Sequence, residues 1–215
     1  MLHRVVTNRS DIPRERTLEV TPDWFQQCVE RHLAADGRFV SLDTLMLELQ
    51  QPSNRRKQTV AVTFDEGCRE TLHHVLPLFQ QLQIPFALFV TTDFVGDAHP
   101  IGWYQKQPPM MDWDELVTFS QNPLCTIGAH TVTHPHLCQL SEEQVLSELT
   151  LSKQILEEQL NTPIRYFSYP YGERNAAVMA CVRHAGYTAA FEAWGGAVRT
   201  GSDRYNLPRI PFIQN

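Results

Sequence analysis

The sequence predicts an α/β fold in which parallel strands alternate with helices, as an open sheet or as a barrel. Short apolar runs rich in β-branched residues, such as residues 59–64 and 124–128, have the length of buried strands. Helix-start signals follow several of these runs, and repeated alternation of this kind indicates a parallel sheet. We see no internal repeat, low-complexity segment or linker in the 215 residues, so we expect one domain spanning residues 1–215.

Local signals define the elements of the N-terminal half. Thr21 and Pro22 provide an N-cap and a first-turn proline for a helix that ends before Gly37. Pro77 lies inside a later helix, which we expect it to kink. Residues 7–19 are rich in charge and are predicted to form a surface loop. The other elements predicted here are strands at 2–6, 38–42 and 59–64, and helices at 43–50 and 69–82.

Helix caps also organise the C-terminal half. Ser141 and Gln144 form a capping box for a long helix that ends near Leu160. Gly186 is the expected C-cap residue of a helix at 175–185. Residues 195–205 are predicted to be a surface loop that could border a substrate groove. The remaining predicted elements are strands at 86–91, 124–128, 165–169 and 187–191, and a helix that opens at residue 112.

Composition excludes several classes of protein. A hydrophobic content of 42% and a charged content of 20% are ordinary for a globular domain. The net charge is −6 and the one basic run is residues 55–57, which we interpret as a solvated loop, so we expect no nucleic-acid partner. No apolar stretch has membrane-spanning length, so we expect no membrane span, and because a strand is predicted to begin next to Met1 we expect no cleavable leader. Five cysteines without CxxC spacing argue against a disulfide framework, and a cytoplasmic setting is expected.

Two histidines four residues apart follow the apolar run at 124–128. His130 and His134 are separated by one turn's length of chain, and imidazole is a common ligand of zinc and related divalent metals. Pro135 disfavours a helical conformation at His134, so the pair is predicted to lie on a loop. Taken alone, this spacing fits a metal site and a pair of hydrogen-bonded loop histidines about equally well.

Two adjacent carboxylates, Asp65 and Glu66, end the apolar run at 59–64. Carboxylates brought together at a strand end repel each other, and a bound cation would relieve that repulsion. An acidic helix start, stabilised by the helix dipole, is the simpler explanation of the pair alone. With His130 and His134 present, we favour a metal site made of carboxylate and imidazole ligands.

Five short motifs occur in order along the chain. Residues 63–67 read TFDEG, residues 130–135 HTVTHP and residues 167–172 FSYPYG, while residues 207–210 read LPRI and residues 2–5 LHRV. The first four resemble the TFDDG, H-[ST]-x-x-H-P, YPYG and LPRI elements of the polysaccharide deacetylases, the NodB-homology family. The last resembles the YHRV element of a subgroup whose catalytic motifs are circularly permuted. This resemblance implies a distorted (β/α) barrel of seven to eight units with the motifs at the C-terminal strand ends.

The resemblance also implies a role for each site residue. It makes Glu66, His130 and His134 the ligands of a divalent metal, with zinc expected first. Asp65 would be the general base and His3 the general acid. The roles of the last two residues concern charge: the Tyr171 backbone N–H would stabilise the oxyanion, and Arg209 could pair with Asp65 and keep it ionised, or else form a merely structural or surface ion pair.

Two positions depart from the family motif. Glu66 stands where the family has Asp, which moves the carboxylate by about one C–C bond and raises the question of where the metal would lie. Cys68 replaces an aromatic residue and is interpreted as a small buried residue, or alternatively as a thiol near the metal. Trp113 and Trp194 could stack on a sugar, although core packing is the default for tryptophan. The histidines without a motif are interpreted as structural or exposed; they include His32, His73, His74, His99 and His136.

These residues together predict a metal-dependent carbohydrate de-N-acetylase that acts on an N-acetylated carbohydrate. One alternative is a catalytically impaired family member that serves as a carbohydrate-binding module. Another is a hydrolase of a different amide. The sequence leaves the sugar and the oligomeric state open.

Overall fold

A computed structural model describes residues 1–51 and 58–214 of the chain. The basic run at residues 55–57 therefore lies outside the described residues. The strands are β1 (Arg4–Val5), β2 (Glu19–Val20), β3 (Arg38–Phe39), β4 (Thr59–Val60), β5 (Val62–Glu66), β6 (Phe86–Val90), β7 (Cys125–Ala129), β8 (Tyr166–Ser168), β9 (Ala189–Gly195) and β10 (Leu207–Arg209). The α-helices are α1 (Pro13–Arg16), α2 (Pro22–Ala34), α3 (Leu42–Leu49), α4 (Arg69–Leu82), α5 (Trp113–Ser120), α6 (Glu142–Leu160) and α7 (Ala176–His184).

Six of these strands form one parallel sheet in the order β10-β9-β8-β7-β6-β5. Neighbours in the sheet are consecutive in the chain, and α4, α5, α6 and α7 connect β5 through β9, as parallel strands require a crossover. β1 and β2 form a small parallel sheet, as do β3 and β4. The main sheet curls into a half-barrel, which confirms the predicted α/β class.

The N-terminal residues fill the gap between the two edges of this sheet. On one side Leu2 N donates to Thr63 O (2.9 Å), and Asp65 N donates to Leu2 O (3.1 Å). On the other side Phe212 N donates to Met1 O (2.9 Å), just beyond the end of β10. Backbone hydrogen bonds therefore connect β5 to the chain after β10 through the first two residues, which extends the curl of the sheet.

Helix caps are formed largely where the sequence predicts them. Ser141 and Gln144 form the expected capping box of α6, and Asp112 caps α5 in the same way. Ser41 caps α3, so the helix begins at Leu42 and the predicted strand at 38–42 ends early, at Phe39. These caps satisfy first-turn N–H groups that would otherwise lack partners.

The prediction of a surface loop at residues 7–19 is only partly right: most of these residues are exposed or half-buried, but the segment is not all loop and not all surface. This segment contains α1 and the first residue of β2, and its carboxylates Glu15 and Glu19 are only 4% and 2% exposed. Glu15 accepts hydrogen bonds from Gln105 N (2.7 Å) and Ser10 Oγ (2.8 Å), while Arg4 donates to Glu19 (2.5 Å). Burial is tolerated because each carboxylate is hydrogen-bonded, which the sequence pattern does not reveal.

An aromatic cluster holds β5 in place. The Phe79 ring on α4 lies 6.1 Å from the Phe64 ring and 5.2 Å from the Phe86 ring, centroid to centroid. All three side chains are at most 2% exposed, so β5 is packed against α4 just before its last two residues. Among the described residues, no helix has both the length and the apolar character needed to cross a membrane.

Candidate active site

The C-terminal ends of neighbouring strands bring the sequence-predicted residues together. Asp65 and Glu66 are the last residues of β5, and Glu66 is in register with Val90 of β6. Val90 is in turn in register with Ala129, the last residue of β7, so His130 emerges at the same edge of the sheet. Parallel strands present their C-terminal ends at one edge, which is why Asp65 and His130 meet there although they are far apart in sequence.

Three of these side chains form a compact group of donor atoms. His130 Nε2 lies 3.1 Å from His134 Nε2, and His134 Nε2 lies 4.0 Å from Glu66 Oε1. One donor atom from each residue falls within 4.8 Å of the others. The pair of histidines lies on a loop, as predicted, and His134 adopts a positive φ of 60° before Pro135. The turn brings both imidazoles to the same side of the loop.

Hydrogen bonds from outside the cluster orient the histidine loop. His130 Nδ1 is 2.7 Å from Ser168 O, and because a carbonyl can only accept, Nδ1 carries the proton and the lone pair is on Nε2, the atom that faces His134. Glu148 of α6 accepts hydrogen bonds from Val132 N (2.8 Å) and Thr133 N (3.0 Å). The histidine loop is therefore held by hydrogen bonds to β8, through Ser168, and to α6, through Glu148.

The chemistry of this group fits a divalent metal ion. Glu66 Oε2 and His134 Nδ1 are buried and have no hydrogen-bond partner among the described residues. Burial, with repulsion from Asp65, raises the pKa of Glu66 well above its usual value. Burial lowers the pKa of His134 well below its usual value and also lowers that of His130, so both imidazoles are neutral. Two neutral nitrogen donors and one carboxylate form a ligand set for a cation such as zinc.

Asp65 is paired with Arg209. Arg209 Nη1 donates to Asp65 Oδ1 (2.8 Å) and Nη2 donates to Oδ2 (2.7 Å), while Ser168 Oγ lies 3.2 Å from Oδ2. Burial would raise the pKa of Asp65, but the Arg209 guanidinium holds it well below its usual value. The pair is buried, with 3% and 6% exposure, so a surface ion pair is excluded. Arg209 keeps Asp65 ionised and fixes its orientation, and it also lowers its basicity.

His3 lies beside the donor cluster. Because Leu2 pairs with Phe64, the next residue falls next to the end of β5, and His3 Nε2 is 3.7 Å from Glu66 Oε1. The His3 side chain is 21% exposed and lines a cavity together with Asp65, Glu66 and the two histidines. Burial lowers the pKa of His3 to about 4, although Asp65 partly opposes this effect. The resting imidazole is therefore neutral.

Tyr171 follows β8 in a short 3₁₀ turn, Pro170–Gly172, with a φ of 57°. Within the described parts of the chain its backbone N–H donates no hydrogen bond. An unpaired N–H at a strand end is available to a ligand oxygen.

Left-handed backbone conformations occur at several residues of the site. Besides Tyr171, the residues Glu66, Thr131 and His134 have positive φ values, between 60° and 70°. Left-handed conformations cost roughly 1–2 kcal/mol each for such residues, and strain of this kind concentrates at functional sites.

A cavity of about 190 Å³ opens onto these residues, and its wall includes side chains that the sequence did not indicate. Trp103 lies with its ring centroid 4.5 Å from that of His134. Arg14 and Thr17 come from the segment at residues 7–19, which was predicted only as a surface loop. The sequence offered one indication that Trp103 belongs to the site: it lies in the loop between β6 and α5, at the C-terminal edge of the sheet.

Other residues considered from sequence lie outside the cavity wall. Trp113 packs against the core and Trp194 is 58% exposed. Cys68 is 2% exposed, with Sγ 3.9 Å from Met110 Sδ, and burial raises the pKa of its thiol. Within the described residues, the group of donor atoms that could hold a metal does not include Cys68. Its interpretation as a small buried residue is therefore favoured.

The chain belongs to the polysaccharide deacetylase family, because the family's model matches residues 53–190. It is 22% identical over 205 residues to the poly-β-1,6-N-acetyl-D-glucosamine N-deacetylase of Staphylococcus aureus (strain MSSA476), covering 91% of this chain and 68% of the relative. The Bacillus subtilis protein YxkH is 22% identical over 164 residues, covering 76% of this chain. This chain spans only 55% of the length of YxkH.

Two solved structures have the same fold. The Streptococcus pyogenes deacetylase PplD, in complex with acetate, superposes with a TM-score of 0.84 at 21% identity, covering 98% of this chain and 89% of PplD. IcaB from Ammonifex degensii gives a TM-score of 0.84 at 24% identity, covering 98% of this chain and 88% of IcaB. These similarities confirm the predicted (β/α)-barrel fold. Membership of the circularly permuted subgroup stays a prediction.

Proposed function

We propose that this chain is a metal-dependent hydrolase that removes N-acetyl groups from a carbohydrate, with residues 1–215 as its catalytic domain. The observation that carries the proposal is the convergence of Glu66, His130 and His134 beside a paired, ionised Asp65, all facing one cavity. The names of the relatives, which include an N-acetylglucosamine polymer deacetylase, support the substrate class.

Each residue of the site has its own role in the proposed reaction. Held by Glu66, His130 and His134, a divalent ion, with zinc expected first, would act as a Lewis acid on the acetamide carbonyl and the attacking water. Asp65 accepts the proton of that water, and Arg209 keeps the Asp65 carboxylate oriented and unprotonated before it does so.

The remaining roles concern the oxyanion and the leaving amine. The free N–H of Tyr171 donates to the carbonyl oxygen as negative charge develops on it. His3 lies in the cavity wall, 3.7 Å from Glu66. Its partly exposed imidazole takes up a proton from solvent and passes it to the departing amine, while Asp65 later returns the proton of the attacking water to solvent. The products are acetate and a free amino sugar.

Acetate release tests this function. Purified protein is incubated with N-acetylglucosamine oligosaccharides, and acetate is measured in untreated protein, in chelator-treated protein and after zinc is added back. We expect the untreated protein to release acetate, the chelator-treated protein to release none, and the release to recover when zinc is added back. Sugar binding without acetate release in zinc-loaded protein would support the carbohydrate-binding alternative, and release from a different amide alone would support the other one.

Replacement of Glu66 by Asp tests whether the site is adapted to its unusual ligand. Shortening the side chain withdraws the carboxylate by roughly 1.5 Å, while Glu148 still anchors the histidine loop. We expect zinc affinity to fall by about 10- to 100-fold, and kcat/KM with it. The measurements are zinc competition with a chromophoric chelator and acetate release. A sharp rise in activity would mean that the native enzyme is impaired, which favours the binding-module alternative.

Replacement of His3 by Ala tests the proton donor. We expect kcat to fall by about 10²- to 10⁴-fold, while zinc content and melting temperature stay close to those of the native protein. His74→Ala, at an exposed histidine on α4, is the control. An unaltered kcat in His3→Ala would assign the acid role to another group.

A further inference from the structure

The side chain of Tyr171 lies between two histidines of one loop. The His136 ring stacks on the Tyr171 ring at 4.1 Å with an interplanar angle of 11°. The His134 ring contacts it edge-on at 4.7 Å and 78°. Trp103 adds a further edge contact at 5.8 Å. The loop after β7 and the turn after β8 are thus joined through one tyrosine ring.

These contacts of Tyr171 form outside the paired strands of the sheet. The register between β7 and β8 pairs Ala129 with Phe167, before either loop begins. Beyond these residues, each loop contains a residue in the left-handed backbone conformation: His134 in the loop after β7 and Tyr171 in the turn after β8. The relative position of the two loops therefore depends on contacts between their side chains as well as on the strands.

A hydrogen bond strengthens the same junction. His136 Nδ1 lies 2.9 Å from Glu173 Oε2, and Glu173 follows directly on the turn that contains Tyr171. The bond fixes the rotation of the His136 ring, so that its face, and not its edge, meets the tyrosine. One histidine thus contacts the turn twice, by stacking on Tyr171 and by bonding to Glu173.

We propose that His136 and Glu173 are positioning residues that clamp the Tyr171 turn onto the histidine loop. The clamp sets where the free N–H of Tyr171 lies relative to His130 and His134. A shift of this donor by a fraction of an ångström would weaken its bond to the developing oxyanion, because such donors act through pre-organised geometry. This role rests on the proposed deacetylase function, since the oxyanion is a feature of that reaction.

The test compares His136→Ala with His136→Phe. Alanine removes both stacking and hydrogen bond, and we expect kcat to fall about three- to tenfold, with KM and zinc content unchanged. Phenylalanine restores the stacking ring, so it should recover most of the lost rate. Glu173→Gln weakens only the bond that orients the ring and should have a smaller effect. His73→Ala, another exposed histidine near a glutamate, is the matched control and should leave kcat unchanged.

Amide hydrogen exchange provides a readout that does not depend on activity. Gly172 N donates to Tyr169 O (2.9 Å) and Glu173 N donates to Pro170 O (3.1 Å), so these two amides report on the turn. Both should exchange several-fold faster in His136→Ala and near the native rate in His136→Phe. Native exchange in His136→Ala, or loss of its zinc, would overturn the clamp. If the native protein releases no acetate, the proposed function fails, while the exchange rates still decide the clamp.

Discussion

His134→Ala is expected to abolish both metal binding and deacetylase activity. The substitution removes one of three donor groups from a buried cluster in which the remaining His130 and Glu66 cannot hold a cation in a defined geometry. Acetate release should fall about a thousandfold or more, because Lewis-acid stabilisation of the transition state is worth several kcal/mol. The measurements are zinc content by elemental analysis and acetate release on the same sample.

A control and a contrary outcome make this test decisive. His99→Ala, at an exposed histidine near Asp93, should retain both zinc and activity. Circular dichroism establishes that His134→Ala is folded before its activity is compared. Full turnover in protein verified to be free of metal would contradict the proposed chemistry.

The second large effect separates the two adjacent carboxylates. Asp65→Asn should keep its zinc and lose about 10²- to 10⁴-fold in kcat, because the amide cannot accept the proton of the attacking water. Glu66→Gln should instead lose its zinc, because a neutral amide is a poor replacement for a carboxylate ligand. If Asp65→Asn emptied the site and Glu66→Gln left it filled, the two assignments would be reversed.

Asp65→Asn also has a consequence for stability. It leaves the buried Arg209 without a negative partner, and breaking a buried pair in this way costs about 3–5 kcal/mol of unfolding free energy. Chemical denaturation measures this loss. Turnover is then compared at a temperature where both proteins are folded, so that the loss of the base is not confused with unfolding.

Much of the fold could be predicted from sequence because its signals are local. Apolar runs of strand length predicted the positions of β5, β6 and β7 to within three residues, and the capping box at Ser141 predicted the start of α6. Boundaries were wrong where a cap competes with a strand pattern, as at Ser41, which starts α3 at Leu42. The buried carboxylates Glu15 and Glu19 were missed because their partners are far away in sequence or belong to the backbone.

The site could also be predicted in outline. Motifs that follow parallel strands meet at one edge of the sheet, so the strands alone predict that Asp65, Glu66 and His130 lie close together. The place of His134 depends also on the turn of its loop. His136 was interpreted as structural or exposed, because neither its stacking on Tyr171 nor its bond to Glu173 leaves a sequence pattern. Trp103 was missed for the same reason.

Sequence alone determined which chemical groups stand at the strand ends, because hydrophobic periodicity and turn chemistry act over a few neighbouring residues. Tertiary structure determined the burial, the charge pairing and the neighbours of those groups. The low pKa of Asp65 depends on Arg209, which is 144 residues away, and the place of His3 depends on Leu2 pairing with β5. The wall of the cavity depends on Arg14 and Thr17, whose segment is held in place by the long-range hydrogen bond from Gln105 N to Glu15. Burial, charge pairing and loop contact arise only when distant parts of the chain pack together, so they are properties of the folded protein.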